Sequence, residues 1–309
     1  MHPFRFGIQL QKAPSLRQWR DQARRLEDLG YSTLFMPDHF GDQYGPLVAL
    51  TAAAEATSSL RVGSLVFDND YRHPLVLAKE LATLDLASEG RLEAGIGAGW
   101  LRSDYDEAGL GYDEPAVRVA RLEEAVKVMT ALWASESVDF DGEHYRLRGA
   151  HGLPRPHTPG GPPLLIGGGS RRVLRLAAEH ARIIGINPSL RAGSINAETI
   201  ASATPSQYAE RIGWVREHAG ERFADIELQS LVFLAQIGRP QAEVAEEMSA
   251  ILGFSPDEIA ATPVAVFGTE DEIVETLERR REEFGYSYWV FHEPEIDSFA
   301  PVVARLAGR

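Results

Sequence analysis

The sequence predicts an α/β protein, a single (β/α)8 barrel (a TIM barrel) spanning residues 1–309 as one domain, with insertion loops at the carboxyl-terminal face. Three observations point to it. Apolar strand-like runs and amphipathic helical patterns alternate about eight times from end to end. Composition does not break anywhere along the chain. A length of 309 residues accommodates such a barrel, which commonly needs roughly 250. The polar, proline-rich stretches at 148–162 and 188–205 read as loops inside this frame rather than linkers between domains.

The elements follow in order. Residues 4–10 read as the first strand and 15–29 as a helix with Leu16, Trp19, Ala23 and Leu26 on one face, ended by Gly30. Strand 33–37 leads to helix 47–56, strand 60–67 to helix 73–87, and strand 91–96 to a polar insertion, 101–115. A long helix, 116–134, then carries Val119, Leu122, Val126, Met129 and Leu132. Residues 138–147 read as a hairpin turning at Asp141-Gly142, a two-residue turn signal. The fifth strand, 164–166, runs straight into a glycine-rich corner and a helix, and 182–186 is the sixth strand. Helix 206–219, strand 226–237 and helical stretches from Gln241 build the seventh unit. Thr269 and Glu272 form a capping box for a helix to Phe284, and 288–291 is the last strand.

That glycine-rich corner, Gly167-Gly168-Gly169-Ser170, is the most informative segment. Glycines let the backbone approach a bound oxyanion, and the free N–H groups opening the next helix favour negative charge. A plain strand-to-helix turn normally needs one glycine, so the segment reads as a phosphate cradle.

In a barrel, function gathers at the carboxyl ends of the strands. Asp38 and His39 stand together at the end of the second strand, where an imidazole titrating near neutrality suits proton exchange. The run Gly95-Ile96-Gly97-Ala98-Gly99-Trp100 superficially resembles a dinucleotide fingerprint. Trp100 replaces the final small residue and no immediate βαβ crossover follows, so Gly97 and Gly99 read instead as room for a flat ring, with Trp100 as its wall. Ser64, Leu65 and Val66 lie where the third strand faces the same opening. Asn187, after the sixth strand, is placed to donate to the anion, and His292 and Glu293 end the eighth.

Composition narrows the class. A formal charge of −14 argues against nucleic acid, whose binding requires a basic surface. There is no cysteine, which excludes disulfides, thiolate catalysis and cysteine-ligated zinc. The nine histidines are scattered with no His-x-His pair, so no metal ligands are expected and a metal-dependent barrel hydrolase is disfavoured. No signal-peptide pattern or bilayer-length apolar run is evident, and a cytoplasmic protein with no membrane partner is expected.

Taken together the segments resemble the luciferase-like monooxygenase superfamily, in particular its branch of coenzyme F420-dependent oxidoreductases. The resemblance covers essentially the whole chain. It rests on Asp38-His39-Phe40, Arg72-His73-Pro74 with Leu77-Ala78-Lys79-Glu80, Gly90-Arg91 before the Gly95–Trp100 run, Arg121-Leu122-Glu123-Glu124, the hairpin from Phe140 to Tyr145, and the cradle from Ile166 to Ser170. It implies a flavin or deazaflavin at the carboxyl face with its phosphate held by Gly167–Ser170. It implies further a non-proline cis peptide joining Leu65 to Val66, catalysis by His39 with Asp38 beside it, and a homodimer. The sugar-phosphate dehydrogenases of that branch carry a glutamate proton donor where this chain has Trp100, and lysines for the substrate phosphate. This chain has three lysines, none in a matching loop, so glucose 6-phosphate is not the expected substrate.

The resulting expectation is F420-dependent hydride transfer to or from a small apolar or aromatic organic molecule. The nearest rival is a two-component monooxygenase using reduced FMN and oxygen, fed by a separate flavin reductase. A cofactor-binding protein without turnover is a third reading.

Overall fold

The computed structural model describes residues 1–309. Eight parallel strands close on themselves: β1 (Arg5–Gln9), β2 (Thr33–Met36), β3 (Arg61–Ser64), β4 (Leu92–Gly97), β5 (Leu164–Gly168), β6 (Ile183–Ile186), β7 (Glu227–Leu231) and β8 (Tyr286–His292). Each pairs with its sequence neighbours. β8 returns to β1 with Arg5 opposite Tyr288 and Gln9 opposite His292, and Val62 opposite Leu92 joins β3 to β4. The outer ring is α1 (Leu16–Asp28), α2 (Pro46–Ala56), α3 (Pro74–Ala87), α4 (Pro115–Ala134), α5 (Arg171–His180), α6 (Pro205–Ala219), α7 (Glu270–Phe284) and α8 (Ala300–Leu306). This is the expected (β/α)8 barrel. No helix is long and apolar enough to cross a membrane.

Strand pleating sorts the side chains into two cores. Leu34, Met36, Leu164, Ile166, Ile184, Trp289 and Phe291 point outward into a continuous layer shared with the helices. Phe35, Leu165, Ile183, Tyr288 and Val290 point inward and fill the middle of the ring. Below them, at the amino ends of the strands, the interior turns ionic. Glu93 accepts from Arg5 and, at 2.8 Å, from Arg61, while Arg5 also pairs with Glu227 at 2.7 Å and the Tyr288 hydroxyl reaches Glu93 at 3.0 Å. The floor is therefore sealed, and only the carboxyl-terminal end of the ring is left open for a ligand.

Several expected elements differ. The apolar run 226–237 is not one strand. β7 ends at Leu231, and Leu234–Ile237 pairs in parallel with Ala265–Gly268 in a separate two-stranded sheet outside the ring. The polar insertion after β4 contains a helix, Arg102–Ala108, closed by Gly109 in the left-handed region at φ +68°. The loop after β6 contains another, Ala197–Ala201, and α8 has no counterpart in the sequence reading. In the hairpin, Asp141 opposes Arg146, so the turn is the four residues 142–145 rather than Asp141-Gly142 alone. It is held from outside, because Glu124 on α4 accepts the N–H groups of Glu143, His144 and Tyr145 at 2.8, 3.0 and 3.0 Å. The Leu65–Val66 bond is cis, as is Leu153–Pro154.

Candidate functional site

The carboxyl ends of the strands surround a cavity of about 450 Å3, a size suited to a ring-bearing ligand. Every strand or the turn after it supplies wall: Gln9 from β1, Asp38 and His39 after β2, Leu65 and Val66 after β3, Gly97 to Trp100 from β4, Gly167 to Ser170 from β5, Asn187 after β6, Leu231 from β7 and His292 from β8. Of the residues singled out in the sequence, Ser64 and Glu293 are not brought to the wall. The Ser64 side chain is fully buried and its hydroxyl donates to Met36 O at 3.0 Å, because pleat alternation turns it into the seam between β2 and β3. Glu293 accepts from Gln22 at 2.9 Å.

His39 is oriented by a residue the sequence did not single out. Its Nδ1 lies 2.6 Å from Asp104 Oδ2, and the Tyr71 hydroxyl donates to the same oxygen at 3.1 Å. Asp104 sits on the Arg102–Ala108 helix and is buried. With that carboxylate at Nδ1, a neutral ring holds its proton there and keeps the Nε2 lone pair free to accept. Trp100 packs edge-on against the imidazole, with ring centroids 5.9 Å apart and planes at 83°.

Asp38 does not touch His39. Its carboxylate takes a two-pronged contact from Arg72, at 2.5 and 3.1 Å, and accepts the Asp68 N–H at 3.0 Å. It therefore ties the β3–α3 connection to the end of β2. Asp68 beside it is buried, 2.8 Å from the Asp70 N–H and 3.2 Å from the Tyr105 hydroxyl. Burial, opposed by that N–H bond and reinforced by the neighbouring Asp70 carboxylate, pushes the Asp68 carboxyl up to about 7. Burial likewise lowers the His292 imidazole.

The glycine corner is closely packed. A Cβ on Gly168 would stand 2.4 Å from Val173 Cγ1, and one on Gly169 would stand 2.4 Å from Asn187 O, so neither position admits a side chain. Ser170 caps α5, its hydroxyl accepting from Val173 N. Arg171 and Arg172, at the start of α5, are engaged outside by Glu217 and Glu123. The buried cation on the cavity wall is Arg118 on α4. Its Nη1 donates to Gly99 O at 2.9 Å and its Nη2 to the Tyr112 hydroxyl at 3.3 Å, while Nε has no partner and no carboxylate pairs with it. A signal was present in the sequence, since Arg118 precedes Leu122, Val126 and Met129 on the same buried face of a helix, where an arginine needs a reason.

A closed ring of eight strands with one deep cavity and an oriented imidazole at its carboxyl face defines a (β/α)8-barrel enzyme. The chain belongs to the luciferase-like monooxygenase family, whose model matches residues 1–288. It is similar to the F420-dependent glucose-6-phosphate dehydrogenase of Amycolatopsis mediterranei, 26% identical over 298 residues that span 90% of this chain and 88% of that protein. The protein of the same description from Nakamurella multipartita is 29% identical, with 96% and 92% covered. Among solved structures, an F420-dependent secondary alcohol dehydrogenase in complex with an F420-acetone adduct shares the fold, with a TM-score of 0.77 over 99% of both chains at 19% identity.

Proposed function

We propose that this enzyme is a coenzyme F420-dependent oxidoreductase that exchanges a hydride between the deazaflavin and a small organic substrate. The observation that carries the reading is the His39–Asp104 pair at a cavity that the glycine corner also lines. The F420-dependent relatives support the choice of cofactor.

The residues present fit such a group. Gly167 to Ser170 and the unpartnered Nε of Arg118 suit its phosphate, and Leu65, Val66 and Leu231 offer an apolar bed for its ring. When bound, the cofactor supplies a ring carbon that accepts or returns a hydride. Asp104 holds the His39 ring through Nδ1, and Nε2 takes the proton that an alcohol-type substrate loses as its hydride departs, then returns it in the reverse direction. Trp100 walls the reacting end, and Asp38 fixes Arg72 and the chain around Asp68.

Titration of the apoprotein with coenzyme F420 and with FMN tests this. Tight binding of the deazaflavin is expected; tight binding of FMN with none of the deazaflavin overturns the assignment in favour of an oxygen-using monooxygenase. His39→Ala is expected to keep cofactor affinity and to lose about 10²–10⁴-fold in turnover, the usual worth of a positioned acid–base group.

A further inference from the structure

Beside the cofactor cavity lies a second chamber of about 180 Å3, and Pro188, Leu190, Ile195 and Phe233 line both. It sits outside the ring, between the connection from β6 to α6 and the insertion between β7 and α7. Ile200, Ala203, Phe254 and Ile259 supply much of the remaining wall.

The polar groups of this chamber are already satisfied. Glu258, its one ionisable wall residue, accepts from Ser255 N at 3.0 Å and Ser255 Oγ at 2.8 Å in the capping box of helix Pro256–Ala261. The Thr199 hydroxyl donates to Ser194 O at 3.4 Å, the Thr204 hydroxyl pairs with that of Ser206 at 3.2 Å, and the Thr262 hydroxyl donates to Ala203 O. No cation lines the chamber. A phosphate or sugar entering it would give up water without gaining a partner, whereas a hydrocarbon would gain with each buried methylene.

Resting on the hydride-transfer reading above, we infer that the chamber holds the apolar arm of the substrate. That substrate is an uncharged alcohol or its carbonyl product, with the oxygen-bearing carbon at His39 and a hydrocarbon chain running past Phe233. Oxidation of such an alcohol balances with the residues described: a hydride leaves carbon for the cofactor, the hydroxyl proton passes to Nε2, and a carbonyl remains.

The test is a binding series read on the 309-residue chain without cofactor, so that it stands or falls separately from the F420 titration. Calorimetry with 2-alkanols from 2-butanol to 2-decanol is expected to show Kd falling about three- to fourfold per methylene until the chamber is full, then levelling. Ala203→Phe, which fills the chamber, is expected to bring the plateau to shorter chains, and Phe254→Ala to move it to longer ones. Opposite shifts cannot both arise from poor folding. A series without length dependence, a plateau that fails to move in opposite directions in the two variants, or glucose 6-phosphate binding more tightly than the alkanols overturns the inference.

Discussion

Asp68 is a carboxylate that the fold has taken out of water without giving it a cation. Its pKa rises from an ordinary 3.8 to about 7, so the folded chain holds this proton more tightly than the unfolded one. Its contribution to stability is therefore complete below about pH 4 and is lost as pH rises through about 7. Thermal unfolding of Asp68→Asn from about pH 5 to pH 8 should show the variant gaining on the parent as pH increases; parallel curves would exclude the burial argument. At this scale the sequence was partly legible. The place of His39 on the cavity wall could be expected, because residues at a strand's carboxyl end face the mouth of a barrel. That of Asp104 could not, because its role depends on a short helix bringing it back across 65 residues to Nδ1. Asp38, adjacent in sequence to His39, turned out to face Arg72 instead, since neighbouring residues leaving a strand point in opposite directions.

Among the elements, the β5–α5 corner was the easiest to read, because three consecutive glycines announce a close backbone approach. Gly169→Ala should show how close. The added carbon would meet Asn187 O at 2.4 Å and Pro188 O at 2.9 Å, backbone atoms that cannot rotate aside, so the corner must shift. Cofactor affinity is expected to fall at least about tenfold, or ~1.4 kcal/mol. Gly213→Ala on α6, with nothing within 4 Å of its added carbon, serves as the control and should leave affinity unchanged. The stretch 226–237 misled because an apolar run of that length has no internal mark of division. The break at Val232–Phe233 is created by Ala265–Gly268, a partner some 30 residues further on, with Phe233 N and Leu234 N both donating to Val264 O. The short α8 escaped notice because seven residues carry too little periodicity to register.

For the molecule as a whole, polarity changes along the barrel axis from an ionic floor through an apolar middle to an open, mixed cavity. Alternation of strands and helices made the ring itself legible, but nothing marked the floor in advance. Arg5, Glu93 and Glu227 are separated by most of the chain and meet only when the ring closes. Glu93→Ala would leave Arg5 and Arg61 confronting each other with no shared carboxylate, at a cost of about 3–5 kcal/mol. Urea unfolding should report that loss while the cofactor titration stays unchanged, because Phe35 and Tyr288 separate the floor from the site; a weakened titration would mean the two ends communicate.

Walls drawn from all eight strands have an outcome for any truncated form. A half-barrel would carry half a receptacle, so ligand capture begins only once the last strand has zipped to the first. Saturating ligand then defends the entire circle against denaturant, by an increment that grows with the logarithm of its concentration, rather than protecting one local segment.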